Sequence, residues 1–363
     1  MLLSAVVCIF LLLGAVDYAL GNRFSIGQEF ENGLLTCGRL IICMAGFMVL
    51  APVLAHALAP VCTPFFHQFG IDPSAIAGLL VANDSGGAVL AMEMAEDPDA
   101  GLFHGLIVGA AMGTGVMFTI PISMSNVGDS GRPAVICGLL AGIVTIPLGC
   151  LAGGFVAGFS SSMVIRNTIP VLIISIVLFL LLLLLGKKII PAFTVFGRVL
   201  ELLSIFGLCC GAIQHLTGIT LFPGMGSLAE IFPVLGGLAI FLAGAFPMLA
   251  VIKKFFSPVM TKLGQKVGMD DTGTAAFLLG LANGIPSMSM LGKMNDYGRV
   301  YVTAFLVSGS CILGDHAAYT VQVAPEMSGG VMAGKAVGAI SAMILAAFLA
   351  PHFLPNKSPA SKK

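Results

Sequence analysis

Apolar residues run along this chain in long stretches, with most of the charge gathered in short segments between them. A run of about 18 residues or more, coiled at about 1.5 Å per residue, matches the roughly 30 Å hydrocarbon core of a bilayer. Such runs fall at about 1–20, 38–62, 102–122, 133–158, 168–186, 198–219, 229–252, 299–321 and 330–351. They predict nine transmembrane helices in an all-α polytopic membrane protein. Two further stretches, about 73–92 and 272–291, are apolar but interrupted by Asn83-Asp84-Ser85-Gly86-Gly87 and by Asn283-Gly284-Ile285-Pro286-Ser287. Such breaks leave backbone groups without helical partners, which is tolerated at membrane depth only inside protein or beside a wet cavity.

The distribution of Lys and Arg decides whether the two broken stretches cross or turn back, because cytoplasmic loops carry the excess of positive charge. If both turn back as re-entrant hairpins and the N-terminus is outside, every counted Lys and Arg except Arg166 is cytoplasmic, Arg39 included; Lys335, within the last run, is not counted. If both cross, the same sixteen charges divide eight and eight. The expected topology is therefore nine spans and two hairpins, with the C-terminus cytoplasmic. The run from Met1 to Leu20 lacks a positive n-region and reads as a retained span rather than a cleaved signal.

The order span, span, broken hairpin, span, span occurs twice, shifted by about 200 residues. Leu79 matches Leu279, Ala82 matches Ala282, Asn83 matches Asn283, Met94 matches Met294 and Gly138 matches Gly338, while Gly70-Ile71-Asp72 resembles Gly268-Met269-Asp270. Five crossings separate the two starts, so the halves have opposite orientation. The expected organisation is repeat one at 1–158, a connecting helix at 159–197, repeat two at 198–351 and a cytoplasmic tail at 352–363. Inverted repeats whose broken helices meet near the midplane are a recurrent architecture of secondary transporters.

Composition sharpens the class. Hydrophobic residues make up 58% of the chain and charged residues 9%, against about 25% charged in an ordinary soluble domain. Net charge is zero and no basic patch alternates with aromatics, so nucleic-acid binding has no support. The nine cysteines are odd in number and show no C-x-x-C spacing, and they read as reduced packing residues rather than as disulfides or metal ligands. Interior Gly and Ala permit tight packing within one chain or between protomers of a homo-oligomer.

Asp84, at the tip of the first hairpin, is the leading candidate for chemistry, since an ionisable group at membrane depth marks a functional site by default. It suits a small cation, and Asn83 and Ser85 suit a hydroxyl; the plainer alternative is that Asp84 caps the following half-helix. Gly86 and Gly87, with Gly284 and Pro286 in the second hairpin, mark the breaks. Asn283 and Ser287 hold the matching place without an acid. Asp315 and His316, within the run 299–321, form a second candidate as cation ligands, as a proton relay or as a pair bonded to each other. Asn126 and Asp129 belong to a turn, and Gln214 and His215 to an interface.

Enzyme chemistry finds no foothold. Asp84-Ser85-Gly86-Gly87 spells part of a serine-protease string but sits in a membrane hairpin; G-x-S-x-G and the Walker A lysine motif are absent, and neither Asp129 nor Asp315 lies in a G-x-G-D pattern. No catalytic residue, cofactor or metal site is expected. An intramembrane hydrolase using Asp84 or Asp315 stands as the alternative from another class. Within transport, the alternative is an ion-coupled carrier of another small polar solute, against which, for an anion, the expected lack of an intramembrane Arg argues.

With Gly70-Ile71-Asp72-Pro73, the stretch L-L-V-A-N-D-S-G-G from Leu79 to Gly87, Leu281-Ala282-Asn283-Gly284-Ile285-Pro286 and Asp315-His316 in view, the chain resembles the bacterial ethanolamine-utilisation permeases along essentially its whole length. The resemblance implies alternating-access uptake of ethanolamine across the bacterial cytoplasmic (inner) membrane, mattering most when the amine is protonated, with H⁺ or Na⁺ as a coupling ion left open. The neutral amine leaks through lipid, whereas the ammonium faces a steep desolvation barrier. On this view Asp84 is the counter-ion, Asn83 and Ser85 are hydroxyl ligands, and Asn283 and Ser287 form the facing wall.

Overall fold

The computed structural model describes residues 2–354, and every regular element among them is helical. Most of the expected tail, residues 355–363, lies outside the described residues. Helix α1 (Leu2–Ala19) leads into α2 (Gly27–His67), 41 residues long with a π turn at Ile41–Ala45. The first hairpin has arms α3 (Ala75–Leu80) and α4 (Ala88–Met94). Then come α5 (Pro98–Ser125), α6 (Arg132–Val156), α7 (Ser161–Leu185), α8 (Ile190–Thr217) and α9 (Leu228–Lys266). The second hairpin has arms α10 (Asp271–Gly280) and α11 (Gly284–Ser289), and the chain ends with α12 (Asp296–Gly309), α13 (Asp315–Val323) and α14 (Ser328–Phe353).

Among the described residues, six stretches are long and apolar enough to cross a membrane: Gly27–His67, Pro98–Ser125, Arg132–Val156, Ser161–Thr217, Leu228–Lys266 and Pro325–Phe353. Ser161–Thr217 would be a rod of about 85 Å at 1.5 Å per residue, and it instead bends at Gly186, where φ is +50°, into α7 and α8. The protein is thus an all-α, multi-pass membrane protein. α5 and α6 form its centre and are mostly buried, while α7 and α8 present Leu and Ile outward, as lipid-facing helices do.

Both interrupted stretches turn back. The Asp72 carboxylate, where the first hairpin begins, accepts hydrogen bonds from the N–H groups of Glu96 and Asp97 where it ends, at 3.1 and 3.0 Å, and from Ser74 N–H at 2.9 Å. Asp270 does the same for the second hairpin, accepting from Asn295 N–H at 2.9 Å and Gly273 N–H at 2.8 Å. Each Asp follows a glycine of positive φ, Gly70 or Gly268, that closes the preceding long helix. One Gly-x-Asp device therefore shuts both hairpins.

The two mouths lie at opposite ends of the molecule. Gly226 N–H donates to the Val49 carbonyl at 2.8 Å, and Gly33 packs on Ala243, so α9 runs antiparallel to α2. The first mouth follows the end of α2 and the second follows the end of α9. Asp17 fixes where α2 begins: its buried carboxylate accepts from Phe24, Ile26 and Gly27 N–H at 2.8 to 3.0 Å, so its charge is fully satisfied.

Three expectations need correction. The run 38–62 is the middle of a helix that begins at Gly27, so Arg39 is helical and not part of a loop. The run 299–321 is not one helix: it breaks at 310–314, and Asp315 begins α13. Its exposed backbone groups are met by the second hairpin, since Cys311 N–H donates to the Gly280 carbonyl at 2.9 Å and Leu313 N–H to Leu281 at 3.0 Å. Gly314 is packed so closely on the Ala282 carbonyl that any side chain would collide. Finally, Asp315 and His316 are not bonded to each other; the ring of His316 bonds to Thr114 and Lys335 on other elements.

α14 packs most tightly on α6 through Gly330, Gly334 and Gly338 against Gly149 and Gly153, where a Cβ at Gly149 would stand 2.6 Å from the Gly334 carbonyl oxygen. Small residues of this kind let backbones approach and gain dispersion contacts in lipid, where no hydrophobic drive is available.

Replacing Asp270 by Ala strips the acceptor from Gly273 and Asn295 and is expected to lower stability by about 1–3 kcal/mol, read as a fall in melting temperature in detergent, with Asp270→Asn losing less. An unchanged melting temperature would show that the second hairpin is closed by other contacts.

Candidate functional site

The tips of the two hairpins line one cavity of about 180 Å³, together with α2, α5, α9 and the break before α13. Asp84 and Ser85 come from the first tip, Asn283 and Gly284 from the second, and Ser310, Cys311, Asp315 and His316 from the third break. Thr36 and Arg39 on α2 and Thr114 on α5 complete the polar wall, and Met44, Phe118, Phe246 and Met288 supply apolar surface. The arrangement is a small pocket rimmed by acids, hydroxyls and an amide, suited to a compact polar solute.

The first tip is shaped by its sequence. Val81 and Ala82 are extended, Asn83 and Asp84 begin a π turn, and Gly86 takes φ +95° with its Cα against the Phe47 ring. Only glycine meets both demands without strain or collision. Asp84 is not the cap of α4: the Ser85 hydroxyl donates to it at 3.3 Å, and its carboxylate reaches the cavity with 13% of the side chain exposed. The capping role falls to Asn283, whose Oδ1 accepts from Ile285 N–H at 3.1 Å while the side chain still lines the cavity.

Other sequence candidates lie elsewhere. Ser287 does not line the cavity; its hydroxyl donates to the Ala276 carbonyl at 2.7 Å and ties the arms of the second hairpin together. Asn83 is fully buried behind the tip, against Gly109, and neither atom of its amide has a hydrogen-bond partner among the described residues. Gly87 packs on the Val81 and Ala82 carbonyls, and Pro286 lines a separate vestibule of about 600 Å³. That vestibule is formed by Glu29 and Asn32 on α2, Lys253 and Lys254 on α9 and the second hairpin, and it shares Phe246 and Asn283 with the central cavity.

His316 is the hub of the site. Its Nε2 lies 3.4 Å from the Thr114 hydroxyl and 3.9 Å from Asp84 Oδ2, and its Nδ1 lies 2.8 Å from the Nζ of Lys335. An ammonium has only protons to offer, so Nδ1 accepts from Lys335 and Nε2 carries the ring proton, on the side of Thr114 and Asp84. Lys335 also donates to the Ala110 carbonyl at 2.7 Å, in the π-wound stretch Phe103–Gly113. Asp315 reaches the cavity from the start of α13, with Oδ1 buried and without a hydrogen bond among the described residues; the charges that act on it are Asp84 and then Arg39.

Two residues bearing on this site, Arg39 lining it and Lys335 behind His316, were missed in the sequence. Arg39 sits at the edge of an apolar run and was assigned to a cytoplasmic loop by the charge rule, so the cavity contains an arginine after all. Lys335 stands alone inside an apolar run, which is the signal that could have flagged it, because a lone lysine at membrane depth needs partners from other helices. Nothing in the local sequence names those partners. No group of three or more His, Cys, Asp or Glu among the described residues is placed to hold a metal ion.

Comparison with known proteins places this architecture. The family model described as "Ethanolamine utilisation protein, EutH" matches residues 1–349. A protein of Listeria monocytogenes named "Probable ethanolamine permease EutH" is 40% identical over 95% of this chain and 93% of its own length. One of the same name from Escherichia coli is 34% identical over 94% of this chain and 93% of its own. A Bacillus subtilis protein, "Uncharacterized protein YxeR", is 39% identical over 94% of this chain and 92% of its own. The names given to the first two are those of permeases, not of enzymes. No solved structure matches. With a family model covering all but the last residues and relatives aligned almost end to end, the chain belongs to the EutH family of ethanolamine utilisation proteins.

Proposed function

We propose that this protein is a permease that takes up protonated ethanolamine across a bacterial cytoplasmic membrane by alternating access. The observation that carries the reading is Asp84: a carboxylate on the tip of a broken hairpin, reaching a cavity of about 180 Å³, with no cation in direct contact among the described residues. The names of the relatives supply the solute. A cation at this depth must trade its hydration shell for protein ligands, and Asp84 with the Ser85 hydroxyl offers them. Arg39 and Asp315 bring one charge of each sign to the same cavity, so together they add no net charge and Asp84 remains as the acid for the solute. The hydroxyl of ethanolamine then falls to Ser85, Thr114 and the Asn283 amide. Asn83 acts from behind the tip and Ser287 within the second hairpin; both are placed to hold the wall.

In this reading the halves, 1–158 and 198–351 joined by 159–197, are inverted repeats. Their matched Gly-x-Asp closures and the opposed hairpin mouths support it. The hairpins move alternately against the rest, opening the site to one side at a time. Charge gives the sidedness. Lys187 and Arg132 meet at Asp129, and Lys253 and Lys254 line the vestibule, which by the positive-inside rule supports a cytoplasmic position for these and for the C-terminus. The vestibule is then the inner approach, with Phe246 and Asn283 between it and the site. The mouth at Asp72, Glu96 and Asp97 with the N-terminus faces outward, where its acids attract cations.

Uptake of labelled ethanolamine into proteoliposomes at about pH 5.5, where the amine is almost wholly ammonium, is expected to saturate and to fall by more than about tenfold in Asp84→Asn, since a buried charge pair is lost. Uptake no greater than that of empty liposomes, in folded protein, would end the ethanolamine reading.

Sidedness is tested with Asp97→Cys and Asp271→Cys in a background lacking the native cysteines. In whole cells a membrane-impermeant thiol reagent is expected to label the first and to reach the second only after the membrane is opened. The reverse pattern would invert the topology.

A further inference from the structure

Lys335 is 2% exposed, on the face of α14 that packs against the centre of the protein, and no carboxylate touches it. Its two hydrogen-bond partners, the Ala110 carbonyl and His316 Nδ1, are both neutral acceptors. A lysine whose only task is to fill space would be a poor choice here, because a buried cation without an opposite charge is strongly disfavoured. The opposite charge lies one residue away. His316 stands between Lys335 and Asp84, with Nδ1 at 2.8 Å from the first and Nε2 at 3.9 Å from the second and 3.4 Å from the Thr114 hydroxyl. Among the described residues Cys311 and Asp84 act on Lys335, Asp315 feels both Asp84 and Arg39, and the Tyr319 hydroxyl is buried without a partner.

We infer that Lys335 is the resident cation of the transport site: through His316 it balances Asp84 when no solute is bound, so that the empty carrier can reorient without a coupling ion. The inference rests on the permease reading above. A carboxylate that binds an ammonium must also pass through the occluded state when the solute has left. A bare negative charge there would stall the return step. With Lys335 in place, the empty carrier moves Asp84 and its own cation together with no net charge, and the loaded carrier moves one positive charge. Transport is then a uniport of the ammonium, drawn inward by a potential that is negative inside. No sodium and no proton gradient is required.

Loss of Lys335 separates two activities that a merely structural residue would lose together. In Lys335→Met the loaded carrier is neutral and still crosses, whereas the empty one is stranded. The experiment compares two modes in proteoliposomes at about pH 5.5. Net uptake is measured into vesicles lacking solute under an inside-negative potassium diffusion potential, without sodium or a pH gradient. Exchange is measured into vesicles preloaded with unlabelled ethanolamine. The native protein is expected to perform both, with net uptake rising with the potential. Lys335→Met is expected to keep exchange within about threefold and to lose net uptake by more than about tenfold.

Equal loss of both modes in a folded variant, or native uptake that demands sodium or a proton gradient, overturns the inference. If Lys335→Met is too unstable to reconstitute, the double variant Lys335→Met with Asp84→Asn decides: removing both charges restores the melting temperature when Lys335 balances Asp84, and fails to restore it when Lys335 has another role. If the native protein moves ethanolamine in neither mode, the permease reading falls, and the same pair of melting temperatures still reports on the Lys335–Asp84 balance.

Discussion

In hydrocarbon a backbone N–H or carbonyl has no water to turn to, and the whole structure is organised around places where this chain violates the helix and must make up the lost bonds. There are three such places, at 81–87, 281–283 and 310–314, and all three converge on one cavity. They answer one another. The third break donates Cys311 and Leu313 N–H to the carbonyls that the second break exposes at Gly280 and Leu281. At the first break the Ser85 and Gly87 N–H groups turn back to Ala82, and glycines of α5 let that helix close over the extended residues. Cys311, a non-glycine residue at φ +57°, shows how far the backbone is bent to bring these groups together.

Once the backbone is broken there, helix ends and polar side chains can face the centre of the membrane without exposing lipid to them. Asp84, Asp315, His316, Lys335 and Arg39 each come from a different tip, break or helix wall, apart from the adjacent Asp315 and His316. Lys335 and His316 are tolerated there because other elements supply their partners. His316 links two of these groups, and the tight glycine contact of α14 on α6 holds Lys335 where it can reach both His316 and Ala110. Substituting a larger residue in that glycine seam would therefore shift a charge in the site without touching the cavity.

The two halves use the same devices with different outcomes. Glycine of positive φ followed by x-Asp closes both hairpins, and a helix packs over each broken tip. In the first half that helix, α5, remains continuous by winding as a π-helix over Phe103–Gly113 and Gly115–Thr119; in the second half its counterpart opens into α12 and α13. The first tip carries the acid and the second an amide, so the chemical asymmetry lies on the side chains while the backbone plan is shared.

Most of the architecture was legible from the chain because bilayer thickness and backbone satisfaction act on local sequence. Apolar length marks helices, Asn-Asp-Ser-Gly-Gly and Asn-Gly-Ile-Pro mark breaks, and the imbalance of Lys and Arg pointed to hairpins rather than crossings. Local sequence also picked out Asp84, Asp315 and His316, since ionisable residues in apolar runs are conspicuous. It could not show that the run 299–321 opens in the middle, because Ser310 to Gly314 is as apolar as its surroundings and breaks only where the second hairpin accepts its backbone. Nor could it turn Ser287 away from the cavity, bring Arg39 into it, or join Lys335 to a histidine nineteen residues earlier and a carbonyl on α5. The sequence by itself determined which segments enter the membrane and where they break. The tertiary structure decided which charges share a site, because the partner that makes a buried charge tolerable comes from another helix.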